Sequence, residues 1–391
     1  MNNSILNIEI QEFINSNINT NINTLALKGT EFKTVTTREI ITQIEAKKRC
    51  QDKLPTWFNT KGIYYPNKLN IEQTSSEVTA KYKSELIKGT NVIDITGGFG
   101  VDCLYFSKRF KNVVHCETNP ELSDIAKHNY QQLQAHNITT INIDGIQHIK
   151  THKENYDWMY IDPSRRHDTK GKVFFLKDCI PNVPKHLELL LNRTKHLMVK
   201  TSPLLDISIG LNEFQYVKNI YIVAVNNEVK ELLWCIEKNY QNEITVTSVN
   251  LKKTATETFS YNFNDEKQTV VEYSKPLNYL YEPNTAILKS GGFNQIAKKF
   301  NVFKLHQHSH LYTSETLIDF PGRIFKIQDV IPYSKKELKR LKLTKVNITT
   351  RNFPENVAQL RKKYGFKDGG STYLFFTTDM DNNKIVLVTS K

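Results

Sequence analysis

Three glycines stand within four residues, at Gly97, Gly98 and Gly100, in the run NVIDITGGFGVDCLYFSKRF that starts at Asn91. An apolar stretch precedes them and an amphipathic one follows, which predicts a strand, a tight turn and a helix. Glycines at such a junction let backbone amides approach a ligand, beside the unpaired N–H groups of a helix start. Acids recur where the apolar runs stop: Asp94 before the glycines, Glu117 in NVVHCE, Asp144 in TTINIDG and Asp162 in WMYIDPSRRH. A single loop acid is commonly just solvated, but four in order place a row of hydrogen-bond acceptors at the carboxyl edge of a sheet, where open α/β folds bind ligands. The fifth run, HLMVKTSPLLDI, adds Lys200, Thr201 and Ser202 to that edge. Ser202 can equally begin a turn before Pro203.

A dinucleotide site would have G-x-G-x-x-G, whereas here Thr96 stands where a first glycine would, with Gly98 and Gly100 alternating after it. This pattern resembles motif I of class I S-adenosylmethionine-dependent methyltransferases. The resemblance implies S-adenosyl-L-methionine as cofactor, with Asp94, Thr96, Gly97, Gly98 and Gly100 around its amino-acid end. Glu117, 23 residues after Asp94, would accept from the ribose hydroxyls, and Asp144 would face the adenine amine. Thr79 and Tyr82, on one face of the helix EVTAKYK, would reach the methionine end. Asp162 and Pro163, the catalytic candidates, match the start of the [DNS]-P-P-[YFW] loop of methyltransferases that act on exocyclic base amines. Ser164 replaces the second proline and Arg165 the aromatic. A guanidinium can stack on an unpaired base, and Arg165 with Arg166 can grip phosphate; ion pairs with nearby acids are the alternative.

The stretches DITGGFGVD, EQTSSEVTAKYK, YIDPSRR, VKTSPLLDI and RNFPENVAQLRKKYGFKDGGSTYLFFTT together resemble a bacterial class I methyltransferase family with a THUMP-like C-terminal domain, over the chain from about Lys53 onward. RNA modification is what that resemblance implies. The expected architecture is α/β: a Rossmann-like, seven-stranded methyltransferase sheet at residues 81–265, after a helical N-terminal domain at 1–80. A small ferredoxin-like segment at 266–316 and a THUMP-like domain at 317–391 complete it.

The elements support that division. Residues 9–15 and 38–54 carry apolar positions at helical spacing, and Thr74 with Glu77 has capping-box spacing before a helix closed by Gly89. NVIDI, NVVHCE, TTINID, WMYID, HLMVKT and NIYIVAV alternate with helical stretches, as in a parallel sheet. NEVKELLWCIEK and EITVTSVNL suit antiparallel strands at its edge. The last 75 residues read β-α-β-α-β-β, with a helix SKKELKRLKL capped by Ser334. Lys336, Lys339 and Arg340 on that helix, and Arg361, Lys362 and Lys363 on the next, are candidates for holding an RNA backbone.

The formal net charge of +13 and a pI near 9.2 fit a partner rich in phosphate. The expected partner is tRNA or rRNA; DNA, protein or a small molecule are alternative acceptors, and an RNA-binding protein without turnover is the non-enzymatic one. The five scattered cysteines favour a reducing compartment over a disulfide framework, and the N-terminal segment lacks the pattern of a secretory signal, so the cytoplasm is the expected location. Neither G-x-S-x-G nor a Walker loop occurs. His306, His308 and His310 in HQHSH would share one side of a strand, and with no acidic or thiol ligand at helpful spacing except Glu315 they are expected to be structural or surface residues, so no metal is expected.

Overall fold

The computed structural model describes residues 1–165 and 175–391 and divides into two compact units, Met1–Lys218 with Leu233–Gln241, and Asn219–Leu232 with Asn242–Lys391. The first unit opens with six helices: α1 (Ile8–Ser16), α2 (Ile22–Lys28), α3 (Thr37–Lys53), α4 (Pro55–Asn59), α5 (Lys68–Gln73) and α6 (Glu77–Leu86). Helix α3 starts on a capping box. The Thr36 hydroxyl accepts from the Glu39 N–H at 3.2 Å, and the Glu39 carboxylate accepts from the Thr36 N–H at 2.7 Å. Pro55, at the first position of α4, marks the break after α3. The start of α6 differs from expectation: Ser76, not Thr74, is the cap, accepting from the Thr79 N–H at 3.3 Å. Glu77 is not available for a capping box. It is buried, and its carboxylate accepts from the Thr56 N–H at 2.6 Å and from the Thr56 and Tyr105 hydroxyls at 2.7 Å each.

Strands and helices then alternate: β1 (Asn91–Asp94), α7 (Val101–Ser107), β2 (Asn112–Glu117), α8 (Pro120–Gln132), β3 (Ile138–Asn142), α9 (Gly145–Thr151) and β4 (Tyr156–Ile161). A two-residue antiparallel pair, β5 (Ser164–Arg165) with β6 (Cys179–Ile180), follows. After it come α10 (Val183–Leu191), β7 (Thr194–Thr201), α11 (Ile207–Glu213), β8 (Val217–Val225) and β9 (Glu228–Glu237). In the first unit the order is β3-β2-β1-β4-β7-β9. Strands β1 to β4 and β7 are parallel, so their carboxyl ends share one edge. Strands β8 and β9 form a hairpin whose turn, Asn226 and Asn227, has φ of 49° and 66°, as a type I′ turn requires.

The second unit continues with β10 (Thr245–Leu251), β11 (Thr256–Asn262) and α12 (Asp265–Gln268), in the order β9-β8-β10-β11. Without the two-residue pair, the first seven strands therefore run 3-2-1-4-5-7-6, the seven-stranded arrangement, and β10 and β11 extend it. EITVTSVNL, expected to be antiparallel, is β10 and pairs parallel to β8; its antiparallel neighbour is β11.

The rest of this unit comprises β12 (Tyr279–Pro283), α13 (Thr285–Ser290), α14 (Phe293–Phe300), β13 (Phe303–Lys304), β14 (Tyr312–Ser314), β15 (Gly322–Pro332), α15 (Lys335–Arg340), β16 (Asn347–Thr350), α16 (Val357–Tyr364), β17 (Tyr373–Thr378) and β18 (Lys384–Ser390). They build a sheet of order β13-β14-β12-β15-β18-β17-β16. Helices α15 and α16 each bury one leucine, Leu338 and Leu360, in a core with Ile331, Phe366, Leu374 and Phe376. HQHSH is a turn between β13 and β14, not an alternating strand. His306 Nδ1 accepts from the His308 N–H at 3.0 Å, and His310, with φ of 51°, stacks on Phe293 at 3.6 Å between ring centroids.

Candidate active site

The turn after β1 is shaped by contacts that exclude side chains. A Cβ on Gly97 would lie 1.8 Å from the His115 ring, and one on Gly100 2.0 Å from the Tyr130 hydroxyl oxygen. Gly98 and Gly100 also have φ of 56° and 87°, the left-handed region where a Cβ is unfavourable. Burial pushes the His115 imidazole down to about 4, so the ring packed against Gly97 is neutral. Thr96, Gly97 and Gly98 remain partly open to solvent at the carboxyl edge of the sheet.

Two of the strand-end acids grip this turn. Asp94, 2% exposed, accepts through Oδ1 from the Thr96 N–H at 2.8 Å and from the Thr96 hydroxyl at 3.1 Å. Burial raises its carboxyl to about 7 against the opposing pull of the Thr96 N–H, and the charges of Asp102 and Asp162 push the same way as burial. Glu117 accepts through Oε2 from the Gly98 N–H at 2.9 Å and through Oε1 from the Asn119 N–H at 2.7 Å. Each of its oxygens thus holds one backbone donor and keeps further acceptor capacity toward the edge. Asp144, exposed just beyond β3, caps α9 by accepting from the Gln147 N–H at 2.9 Å.

Asp162 follows β4 directly. Its N–H donates to the Thr96 hydroxyl oxygen at 2.7 Å, and its Oδ2 is paired with the Lys200 ammonium. A continuous chain therefore runs Asp94–Thr96–Asp162–Lys200 across three neighbouring strands. Pro163 is buried beside it and Ser164 is exposed; the Arg165 side chain and all of Arg166 lie outside the described residues. Ser202 begins a turn, accepting from the Leu204 N–H at 3.2 Å. The Thr79 hydroxyl donates to the Ser76 carbonyl within α6 at 3.1 Å, while Tyr82 is half-buried on the same helix.

Sequence reasoning passed over a second polar cluster, immediately behind the turn. Lys83, with no exposure, lies 2.9 Å from Asp102 Oδ1 and donates to the Ser75 hydroxyl at 2.7 Å; Ser75 and Tyr160 donate to Asp102 Oδ2 at 2.8 and 3.0 Å. Burial alone would raise the Asp102 carboxyl, but the Lys83 and Lys200 charges and the hydrogen bonds from Lys83 and Ser75 outweigh it and hold the group below the usual range. The one available signal was an aspartate inside the otherwise apolar run VDCLYF.

A crystal structure of a "putative methyltransferase from Porphyromonas gingivalis W83" aligns with 99% of this chain and 98% of its own, at 32% identity and a TM-score of 0.88. The chain belongs to that methyltransferase family. Residues 279–321 match a ferredoxin-like domain model and residues 322–391 a THUMP domain-like model. The "Uncharacterized RNA methyltransferase MMOB5020" of Mycoplasma mobile is 29% identical over 134 residues. That match spans 33% of this chain and 36% of the relative's length.

Within the THUMP-like domain of this methyltransferase the six basic candidates fall into two groups. Arg340 pairs with Glu337 at 3.2 Å, Arg361 pairs with Asp368, and Lys363 lies 2.8 Å from both Glu355 and the Tyr333 hydroxyl. Lys336, Lys339 and Lys362 are exposed and have no ion pair among the described residues. No group of three or more His, Cys, Asp or Glu suited to a metal occurs among the described residues, and no described helix is long and apolar enough to cross a membrane.

Proposed function

We propose that the chain is an S-adenosyl-L-methionine-dependent methyltransferase that modifies a base in tRNA or rRNA, with its C-terminal domain binding the RNA. One observation carries this reading: in a 3-2-1-4-5-7-6 sheet, a glycine-rich turn and the pinned Glu117 carboxylate lie at the edge where Asp162 emerges. The donor and acceptor set fits the cofactor. The open backbone of Thr96–Gly98 suits an amino-acid tail, Glu117 offers acceptors to two vicinal hydroxyls, and Asp144 offers one to an amine. Bound there, the cofactor supplies a methyl group on a sulfonium, which needs an aligned nucleophile more than covalent activation.

The protein's own part is then positional. Thr96 fixes the Asp162 backbone, and Lys200 fixes one carboxylate oxygen, which restricts the rotation of the other. An acceptor amine that donates to Asp162 is oriented by it and passes its proton to it late. The RNA half of the reading draws on the THUMP-like domain, its unpaired lysines and the RNA methyltransferase relative. The reading places the protein in the cytoplasm, in keeping with five free, buried cysteines.

Calorimetric titration with S-adenosyl-L-methionine, followed by transfer of a labelled methyl group to separate tRNA, rRNA, DNA and protein fractions, tests it. Saturable binding and label in an RNA fraction are expected. Label in DNA or protein alone would replace the acceptor, and absence of cofactor binding would remove the reading altogether.

A further inference from the structure

In the second unit a single buried carboxylate holds two arginines. Glu282, on β12, is 3% exposed. Its Oε1 accepts from Nε and Nη2 of Arg351 at 3.1 and 2.9 Å, and its Oε2 accepts from Arg323 Nε at 2.5 Å and is paired with Arg323 Nη2. Arg323 also donates to the Thr349 hydroxyl at 3.2 Å and lies over the Phe325 and Phe375 rings, 5.4 and 5.9 Å from their centroids.

A buried carboxylate requires compensation, and one arginine in a two-point contact supplies it. The second leaves an excess positive charge. Both guanidiniums also stay within reach of solvent, the side chains being 37% and 35% exposed. Among the described residues no hydrogen bond engages Nη1 of either. The result is a pair of planar donors whose orientation is already fixed by Glu282, Thr349 and two aromatic rings. Lys336, Lys339 and Lys362, on α15 and α16, have no such ion pair among the described residues, and holding one against a phosphate costs side-chain freedom that Arg323 and Arg351 have already lost.

We propose that Arg323 and Arg351 form a preorganised seat for a phosphate of the RNA backbone, where the segments matching the ferredoxin-like and THUMP-like models meet. The proposal rests on the RNA reading given above and adds the position at which the strand is gripped. A fixed fork selects for planar, two-oxygen recognition of phosphate, and it contacts backbone, not base. The seat therefore sets where the RNA lies and leaves the choice of base to the residues around Asp162.

Binding of fluorescently labelled bulk tRNA by the full chain, measured between 50 and 200 mM KCl, tests it. Arg351→Gln and Arg323→Gln are each expected to weaken binding roughly fivefold to tenfold and to lower the salt slope by about 1, with cofactor binding unchanged. Arg351→Lys keeps the charge without the fork. It is expected to melt with the wild-type protein and still bind more weakly, which keeps the proposal open to refutation if the glutamine variants unfold. Wild-type affinity and slope in Arg351→Lys and Arg351→Gln, or a lowered melting point with unchanged tRNA affinity, would overturn the seat and leave the RNA reading standing. Failure of the unaltered protein to bind tRNA would remove both.

Discussion

Two carboxylates near the glycine turn are predicted to behave differently. Asp162, half-buried and paired with Lys200, faces the open edge; Asp162→Asn keeps an oxygen but no longer takes a proton. We expect cofactor affinity within a few-fold of wild type and methyl transfer lower by roughly 100-fold. Calorimetry and single-turnover transfer separate the two, and retained turnover with lost cofactor affinity would reverse the assignment. Asp94 is closed off, with its carboxyl raised to about 7 from an ordinary value of 3.8, chiefly by burial. Below about pH 4 the group is protonated folded and unfolded alike and adds no pH dependence to stability. Between about 4 and 7 the unfolded chain releases the proton and the folded chain keeps it, so stability falls as pH rises, and above 7 the loss levels off. Asp94→Asn removes that dependence. Its urea midpoint relative to wild type should climb through this window and then flatten, and a constant offset from pH 4 to 8 would refute it. Both acids were legible in the sequence as strand-end carboxylates. Their partners were not, because spacing along the chain does not show that the Thr96 hydroxyl bridges them.

At the scale of elements, Lys83 on α6, Asp102 on α7 and Tyr160 on β4 tie the N-terminal helices to the elements flanking the glycine turn through a buried ion pair. Removing one partner strands the other in a dry interior, while removing both relieves much of that cost. Lys83→Met is expected to lose about 3–5 kcal/mol, and Lys83→Met with Asp102→Asn markedly less than the sum of the single changes. Additive urea midpoints would mean that the pair does not act as a unit. This cluster escaped sequence reasoning for a physical reason: nothing in the spacing of Ser75 and Lys83 shows that α7, carrying Asp102, and Tyr160 of β4 close over them and make that side of α6 interior. Direction was hidden for a related reason. The alternation in EITVTSVNL reports which side chains are buried, not which neighbour the strand takes; β10 skips β9 and joins β8, so it runs parallel. The terminal β-α-β-α-β-β order was readable, since each helix there has its own cap, Ser334 and Asn356, and β15, β17 and β18 carry buried apolar residues.

Over the whole molecule, a net charge of +13 draws the protein to polyanions, but only charges free to meet phosphate contribute to affinity. Arg340, Arg361 and Lys363 already face Glu337, Asp368 and Glu355, so each is held in an ion pair that a phosphate would have to displace, and neutralising them removes no phosphate contact while those pairs stay closed. Lys336, Lys339 and Lys362 have no such partners among the described residues. Each phosphate neutralised on a single strand contributes about 0.7 to the slope of log affinity against log salt. The triple change Lys336→Gln, Lys339→Gln and Lys362→Gln should therefore flatten the slope for tRNA by about 2, and the triple change at the paired positions by much less. Lysine contacts to phosphate carry no sequence information, so the loss should be similar for tRNA, rRNA and single-stranded DNA. Equal effects from the two triple changes would show that the ion pairs open on binding. A salt-independent affinity in the unaltered protein would show that phosphate is not what this basic surface meets.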